Sequence, residues 1–232
     1  VELGRIDITC EVSLMASMMA LPRIGHLQQL FHIFAYLKQR HNAEMVFYPT
    51  TPDIDIDMFP KQDLSYTPYC NAKEIIPPNI PEPQGLGFTM SAFVDSDHAG
   101  DEFSRKSRSG FIIRLNNAPI FWSSKKQDRV ELSSYGSKFM AMKECCEYIR
   151  GLRIFIFGDN KSVLANSTIP TSTLKKKSNS IAHNCVREGH AKDEWRATYI
   201  NTHLNVADML TKPLGGGEKR KQFVGMLLHH VY

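Results

Sequence analysis

The 232-residue sequence predicts an α/β fold, a five-stranded mixed sheet flanked by helices, and two observations predict it. Five segments have the alternation or the short apolar runs of β-strands: 88–95, 109–115, 118–123, 153–157 and 195–200. Four later segments have helical character: 133–151, 160–165, 178–192 and 206–211. The first three strands follow one another directly and the last two are separated by helices. This order indicates a three-stranded antiparallel meander extended by parallel strands.

Two apolar segments before the predicted sheet, 6–20 and 27–38, have helical spacing and are separated by Pro22 and Gly25, which predicts an N-terminal helical hairpin. Eight of the twelve prolines fall between residues 49 and 86, which indicates a linker without regular structure. Four parts are therefore predicted: a helical hairpin at 1–48, a proline-rich linker at 49–86, an α/β domain at 87–214 and a basic tail at 215–232. For the tail, we favour a surface helix that docks on the domain over a membrane or partner helix.

Composition places the chain among ordinary globular proteins, with 42% hydrophobic and 22% charged residues and a net charge of +4. Apolar stretches fall short of the roughly 20 residues that a membrane-spanning helix needs. The five cysteines are odd in number and irregularly spaced, which favours reduced thiols and an intracellular protein, cytoplasmic or nuclear.

Basic residues are concentrated between residues 103 and 130, where seven of them accompany one acid, Asp128. Such a stretch is typical of contacts to a nucleic-acid backbone. The candidate nucleic-acid-binding residues are Arg105, Lys106, Arg108, Lys125 and Lys126. The nearby Trp122 could stack on a base, but a core position is favoured.

Three aspartates occupy positions where side chains converge in α/β proteins. Asp95 ends the first strand, Asp159 directly follows the fourth, and Asp208 begins the last helical turn. Carboxylates brought together repel one another unless a cation neutralises them, and Mg²⁺ prefers such oxygen ligands. The pattern favours a metal site over the alternative that each aspartate merely caps a turn.

Several runs of residues together carry a family resemblance: 93–100 (FVDSDHAG), 108–111 (RSGF), 121–127 (FWSSKKQ), 158–162 (GDNKS) and 207–214 (ADMLTKPL). In this order they resemble the RNase H domain of Ty1/copia-type retrotransposon polyproteins. Residues 5–38 resemble the C-terminal end of the reverse transcriptase of the same family. The polymerase Tyr-Val-Asp-Asp motif is absent from the sequence, so polymerase activity is not expected.

The resemblance implies an RNase H-like fold and hydrolysis of the RNA strand of RNA–DNA hybrids. It implies two divalent ions, Mg²⁺ or Mn²⁺, held by three aspartates and a glutamate, with Asp95, Asp159 and Asp208 as the three aspartates and metal ligands. His203 is a candidate auxiliary residue in the loop before Asp208. The implied partners are an RNA–DNA hybrid or other nucleic acid and the remainder of a retroelement reverse transcriptase, without a membrane.

Lys138 stands where the resemblance requires the glutamate. A protonated ammonium has no lone pair for a metal, and it brings positive charge to the place of a cation. We therefore expect an RNase H-like domain whose ancestral two-metal hydrolysis is impaired, with Lys138 paired to Asp95 and Asp159. A catalytically dead nucleic-acid-binding fragment, or one that docks on a polymerase, is the alternative.

Overall fold

A computed structural model describes residues 4–230 apart from Pro60, 75–76, Pro83, Leu86 and 175–176. The strands in this part of the chain are β1 (Ala43–Glu44), β2 (Met90–Ser96), β3 (Arg108–Leu115), β4 (Ala118–Lys126), β5 (Ile154–Gly158), β6 (Trp195–Tyr199) and β7 (His229–His230). The α-helices are α1 (Thr9–Ser17), α2 (Ile24–Gln39), α3 (Ser134–Tyr148), α4 (Lys161–Thr168), α5 (Ser180–Ala191) and α6 (Glu218–Leu227). Short 3-10 helices form at Ile6–Ile8, Ile56–Met58, Lys177–Asn179 and Val206–Leu210.

Five of these strands form one mixed sheet in the order β4-β3-β2-β5-β6. The β2–β3 and β3–β4 pairs are antiparallel, whereas β2–β5 and β5–β6 are parallel. The turn between β3 and β4 is made by Asn116 and Asn117, with Asn116 at a φ of 53°, a conformation that asparagine adopts more readily than most residues. This topology confirms the predicted mixed sheet built on an antiparallel meander. A separate antiparallel pair, β1 with β7, was not predicted from the sequence.

Each face of the sheet carries its own hydrophobic cluster, because successive side chains of a strand point to opposite faces. On one face, Phe111 and Ile113 of β3 pack with Phe139 and Cys145 of α3 and with other buried residues. On the opposite face, Ile112 belongs to a second cluster that joins the N-terminal segment to the C-terminal tail. The buried members of this second cluster are Ile6, Ile112, Val206, Met209, Leu210, Phe223, Val224, Leu227 and Leu228.

The proline-rich segment does not run free of the domain where the structure describes it. Phe59 is only 1% exposed, and its ring centroid lies 4.7 Å from that of Phe155 and 5.2 Å from that of Phe157, both on β5. Further along, the Tyr69 hydroxyl donates a hydrogen bond to Asn184 of α5. The segment therefore lies against the α/β domain, although it has little regular structure, as predicted. The four predicted domain boundaries stay predictions.

The N-terminal helical hairpin forms from α1 and α2, as the apolar spacing predicts. Its second helix exposes large apolar side chains, and Phe31 is 61% exposed. No helix in the described residues is both long enough and apolar enough to cross a membrane.

Candidate active site

Two predicted site aspartates become neighbours because β2 and β5 are adjacent parallel strands. Val94 of β2 and Gly158 of β5 are register partners, so the residues that follow them, Asp95 and Asp159, lie side by side at the same edge of the sheet. Both side chains are buried, with 3% and 5% of their surface exposed. Two carboxylates this close repel each other, and a nearby positive charge relieves the repulsion.

The third aspartate is brought to this edge by the 3-10 helix Val206–Leu210, which packs closely on β3. Gly110, the cross-strand partner of Asp95, permits this approach, since a Cβ there would lie 2.7 Å from Leu210 Cβ. Asn205 begins the turn: its Nδ2 donates to the Val94 carbonyl at 3.0 Å. The Asp208 side chain lies at the sheet edge and is only 2% exposed.

A further contact links the helical turn directly to the first aspartate. The Thr211 hydroxyl donates to Asp95 Oδ2 at 3.1 Å. On the other side of the site, the Thr202 hydroxyl donates to Asp159 Oδ2 at 3.0 Å. Each of these two carboxylates thus accepts a hydrogen bond from a threonine at one oxygen and contacts a cation with the other.

That cation is the ammonium of Lys138. The helix α3 begins after Ser133, whose hydroxyl accepts a hydrogen bond from Gly136 N at 3.2 Å, and its first turns point Lys138 toward the sheet edge. Lys138 Nζ donates to Asp159 Oδ1 at 2.6 Å and also to Asp95 Oδ1. A single ammonium therefore bridges the two aspartates.

Asp208 has cations of its own. Lys212 Nζ lies 2.6 Å from Asp208 Oδ1, and Lys219 from α6 contacts Asp208 Oδ2. The cluster thus contains three carboxylates and three ammonium groups, each carboxylate having at least one lysine partner. Sequence reasoning missed both lysines. The four-residue spacing from Asp208 to Lys212 is a signal that could have found the first, whereas Lys219 depends on the path of the tail.

Burial and charge shift the titration of these groups in different directions. Burial raises the pKa of Asp95 to about 6, against the opposing effect of the Lys138 ammonium, and the neighbouring Asp159 adds to the rise. Burial would lower the pKa of Lys138, but the two aspartates outweigh it and the pKa is raised. At Asp208 burial would raise the pKa, but Lys212 and Lys219 outweigh it and the pKa is lowered. The Lys138 ammonium therefore stays charged at neutral pH.

These residues do not fit a pair of divalent cations. The ammonium of Lys138 lies between the carboxylate oxygens of Asp95 and Asp159 that would face a metal ion. Within the part of the chain that the structure describes, no group of three or more carboxylate, imidazole or thiol side chains is arranged to hold a metal. The arrangement can instead neutralise its carboxylates internally.

The other predicted site residues are more scattered. His203 is exposed in the loop before Asp208, and its backbone N–H donates to Asn201 Oδ1 at 2.9 Å. Among the predicted nucleic-acid-binding residues, Arg105 and Lys125 are exposed, and Lys106 is half-buried. Lys126 is also half-buried and lies 3.1 Å from Asp101 Oδ2.

Arg108 differs from the other predicted phosphate contacts because its side chain is buried. Its Nη1 donates to the Ser13 hydroxyl of α1 and lies 3.5 Å from the Ser124 carbonyl oxygen on β4. The guanidinium therefore ties the helical hairpin to the sheet and is turned away from any ligand at the surface. Trp122 is partly buried and packs against the second hydrophobic cluster from β4, the edge strand of the sheet.

Parts of the chain are similar in sequence to known proteins. No family model matches the chain. Over 144 residues it is 30% identical to the retrovirus-related Pol polyprotein from transposon RE1 of Arabidopsis thaliana, a match that covers 56% of this chain and 10% of that protein. More than half of the chain is therefore similar to retrotransposon Pol polyproteins. A second Pol polyprotein, from transposon TNT 1-94 of Nicotiana tabacum, is 28% identical over 151 residues, covering 59% of this chain and 11% of that protein.

The predicted resemblance to retrotransposon Pol polyproteins is thereby confirmed. The chain spans about a tenth of the length of these Pol polyproteins. Among solved structures, LC11-RNase H1 in complex with an RNA/DNA hybrid is 10% identical to the chain, with a TM-score of 0.45, covering 53% of this chain and 94% of that chain.

Proposed function

We propose that this chain is an RNase H-like domain of a copia-type retroelement Pol polyprotein, and that Lys138 impairs the hydrolysis of RNA–DNA hybrids that the domain ancestrally performed. The observation that carries the proposal is the position of Lys138 Nζ, which donates to both Asp95 and Asp159. The relatedness to retrotransposon Pol polyproteins supports the retroelement part of the proposal.

The impairment follows from the chemistry of the lysine. Two divalent ions, Mg²⁺ or Mn²⁺, would stabilise both the attacking water and the leaving oxygen of a phosphodiester. An ammonium supplies positive charge but accepts no lone pair, so it neither activates a water nor exchanges its ligands for phosphate oxygens. In this proposal the lysine occupies the place of the missing glutamate and repels the metal that the glutamate would have bound.

Binding to nucleic acid is the activity that the domain would retain. Arg105 and Lys125 are exposed and Lys106 is partly so, and such residues contact phosphates without reading sequence. Arg108 is left out of this proposed surface because its guanidinium is buried against Ser13. We propose an RNA–DNA hybrid or another duplex as the partner, in an intracellular compartment.

Cleavage of a labelled RNA–DNA hybrid in Mg²⁺ or Mn²⁺ tests the proposal. We expect the natural chain to cleave no faster than its Asp95→Asn variant, and we expect Lys138→Glu to gain activity. A matched control is Lys143→Glu, since Lys143 lies on the same helix and pairs with Glu147 away from the cluster. Cleavage by the natural chain above the Asp95→Asn level would contradict the proposed impairment.

The lysines around Asp208 call for one more variant in this assay. Lys219 comes from α6 and neutralises Asp208 independently of Lys138. If Lys138→Glu alone stays inactive, we expect Lys138→Glu combined with Lys219→Ala to cleave. Inactivity of this double variant, with its fold intact, would mean that the loss of activity lies at Lys212, which also pairs with Asp208, or outside the cluster.

A second candidate function, docking on a reverse transcriptase, is favoured by the apolar surface of α2. Leu27, Phe31 and Phe34 are exposed on this helix, with Phe31 61% exposed. Apolar groups on one helix face are typical of protein interfaces. This candidate predicts that a Phe31→Asp, Phe34→Asp variant loses binding to a copia-type reverse transcriptase polymerase region, whereas hybrid binding is unchanged. Equal binding by the variant and the natural chain would exclude docking through α2.

A further inference from the structure

A cavity of about 420 Å³ opens on the sheet face that carries the second hydrophobic cluster. It lies between the sheet, the start of the proline-rich segment and α6, and we call it the Arg114 cavity. Its walls include Tyr48, Thr50, Phe93, Arg114, Asn117 and Met226. A volume of this size is within the range of small-molecule sites in proteins.

The Arg114 cavity is separate from the aspartate cluster. Arg114 is the register partner of Ser91 on β2, four positions before Asp95. At about 3.3 Å per residue, this places the two positions roughly 13 Å apart along the strand. A ligand in the cavity would therefore make contacts that the carboxylates and Lys138 do not supply.

Among the residues that the structure describes, Arg114 has no anionic partner. Its Nε is buried and has no hydrogen-bond partner among the described residues. The guanidinium carbon lies 4.9 Å from the centroid of the Phe93 ring, so one face of the group is covered by an aromatic side chain. Burial lowers the pKa of Arg114. An incompletely paired, partly desolvated cation is costly, and an anion in the cavity would offset that cost.

Neutral donors line the same cavity. The Thr50 Oγ1 accepts a hydrogen bond from Asn117 Nδ2 at 3.0 Å, which leaves the hydroxyl hydrogen of Thr50 free to donate elsewhere. Tyr48 lines the cavity as well and carries a second hydroxyl. The cavity therefore combines one guanidinium with two hydroxyl groups and an apolar wall that includes Met226.

We propose that the Arg114 cavity binds a phosphate group. A guanidinium matches the oxygens of a phosphate with paired N–H donors, and hydroxyl groups complete such a site. The cavity has room for the group that carries the phosphate, so the phosphate can come from a nucleic-acid backbone or from a free phosphate compound. Either source would use the same contacts to Arg114.

Isothermal titration of the full chain with inorganic phosphate, at constant ionic strength, tests this proposal. We expect saturable binding that weakens about tenfold or more in Arg114→Met, because a charge-assisted hydrogen bond is lost. Arg153→Met is the matched control, since Arg153 is an exposed arginine paired with Glu74 at 3.1 Å. Its binding should equal that of the natural chain. No saturable binding to the natural chain, or unchanged binding to Arg114→Met, would overturn the proposal.

Two further measurements complete the test. Arg114→Lys keeps the positive charge but not the planar guanidinium, so we expect it to bind phosphate more weakly than the natural chain. This variant tests the proposal even if Arg114→Met fails to fold. Equal binding by Arg114→Lys and the natural chain would overturn the role of the guanidinium. A short RNA–DNA hybrid added as competitor identifies the source. Displacement of phosphate supports a nucleic-acid backbone in the cavity, and phosphate binding that the hybrid leaves unchanged supports a free phosphate compound.

Discussion

Lys138 Nζ lies 2.6 Å from Asp159 Oδ1 while it also donates to Asp95, so one side chain of the protein serves both buried carboxylates. Removing one member of a buried ion pair leaves an uncompensated charge, which destabilises a protein by about 3–5 kcal/mol. The cluster is therefore balanced only while Lys138 is present. An external cation becomes necessary once that ammonium is lost.

Replacement of Lys138 by glutamate should make the stability of the fold depend on Mg²⁺. The variant gathers four carboxylates at one edge of the sheet, and a cation that binds only the folded state stabilises it. At one hundred times the dissociation constant we expect the melting temperature of Lys138→Glu to rise by about 5–10 °C. Thermal unfolding with and without Mg²⁺, at matched ionic strength, measures this.

The natural chain should show no such rise, and neither should Lys143→Glu, whose lysine pairs with Glu147 outside the cluster. An equal Mg²⁺-dependent shift in the natural chain would mean that a cation already binds it. That result would contradict the role assigned to Lys138, whatever the outcome of a cleavage assay.

Because the pKa of Asp95 is raised, we expect the free energy of unfolding to fall as the pH rises from about 4 to about 6. Its carboxyl has a pKa of about 6 in the folded protein, against 3.8 as the ordinary value. The folded state therefore holds the proton more tightly than the unfolded state in this interval, and the free energy of unfolding falls as pH rises. At about 1.4 kcal/mol per pH unit, the fall is at most about 3 kcal/mol.

Urea unfolding at several pH values, compared between the natural chain and Asp95→Asn, isolates this contribution. The asparagine does not titrate, so the variant should lose less stability from pH 4 to pH 6 than the natural chain loses. Asp208, whose pKa is lowered, acts in the opposite direction and is common to both proteins. Parallel pH profiles for the two proteins would show that Asp95 titrates normally.

Phe59 should contribute to stability as a core residue. It is 1% exposed and packs on Phe155 and Phe157, so Phe59→Ala should cost about 3–5 kcal/mol in the free energy of unfolding. Tyr66→Ala is the control from the same proline-rich segment, since Tyr66 is 94% exposed and its loss should change stability by no more than about 0.5 kcal/mol. Equal, small effects of the two substitutions would indicate that the segment does not pack on the sheet in solution.

The sheet followed from local patterns in the sequence, whereas Lys138 was singled out by the family resemblance. Alternation predicted the meander, and the register of the parallel strands β2 and β5 brings Asp95 and Asp159 together. Helical spacing then carries Lys138 from the capping residue Ser133 to the same edge. The catalytic and metal-binding roles of Asp95 and Asp159 remain predictions.

Such local patterns do not predict contacts between residues that are far apart in the sequence. A dense run of prolines predicts irregular backbone, but it does not say where that backbone lies, so the burial of Phe59 was not foreseen. Arg108 has the sequence context of a phosphate contact, yet α1 supplies Ser13 as its partner. Lys219 reaches Asp208 only because α6 folds back on the sheet. Each of these contacts joins elements that are distant in the chain.

The second hydrophobic cluster joins Ile6 to Phe223 of α6, two residues that are far apart in the sequence. During synthesis on the ribosome, this face of the sheet cannot be fully covered until α6 has been added. Until α6 emerges, Ile112 and its neighbours stay open to chaperones and to proteases. A shortened chain of residues 87–214 would lose the apolar groups that cover this face of the sheet. Such a chain would therefore be prone to aggregate.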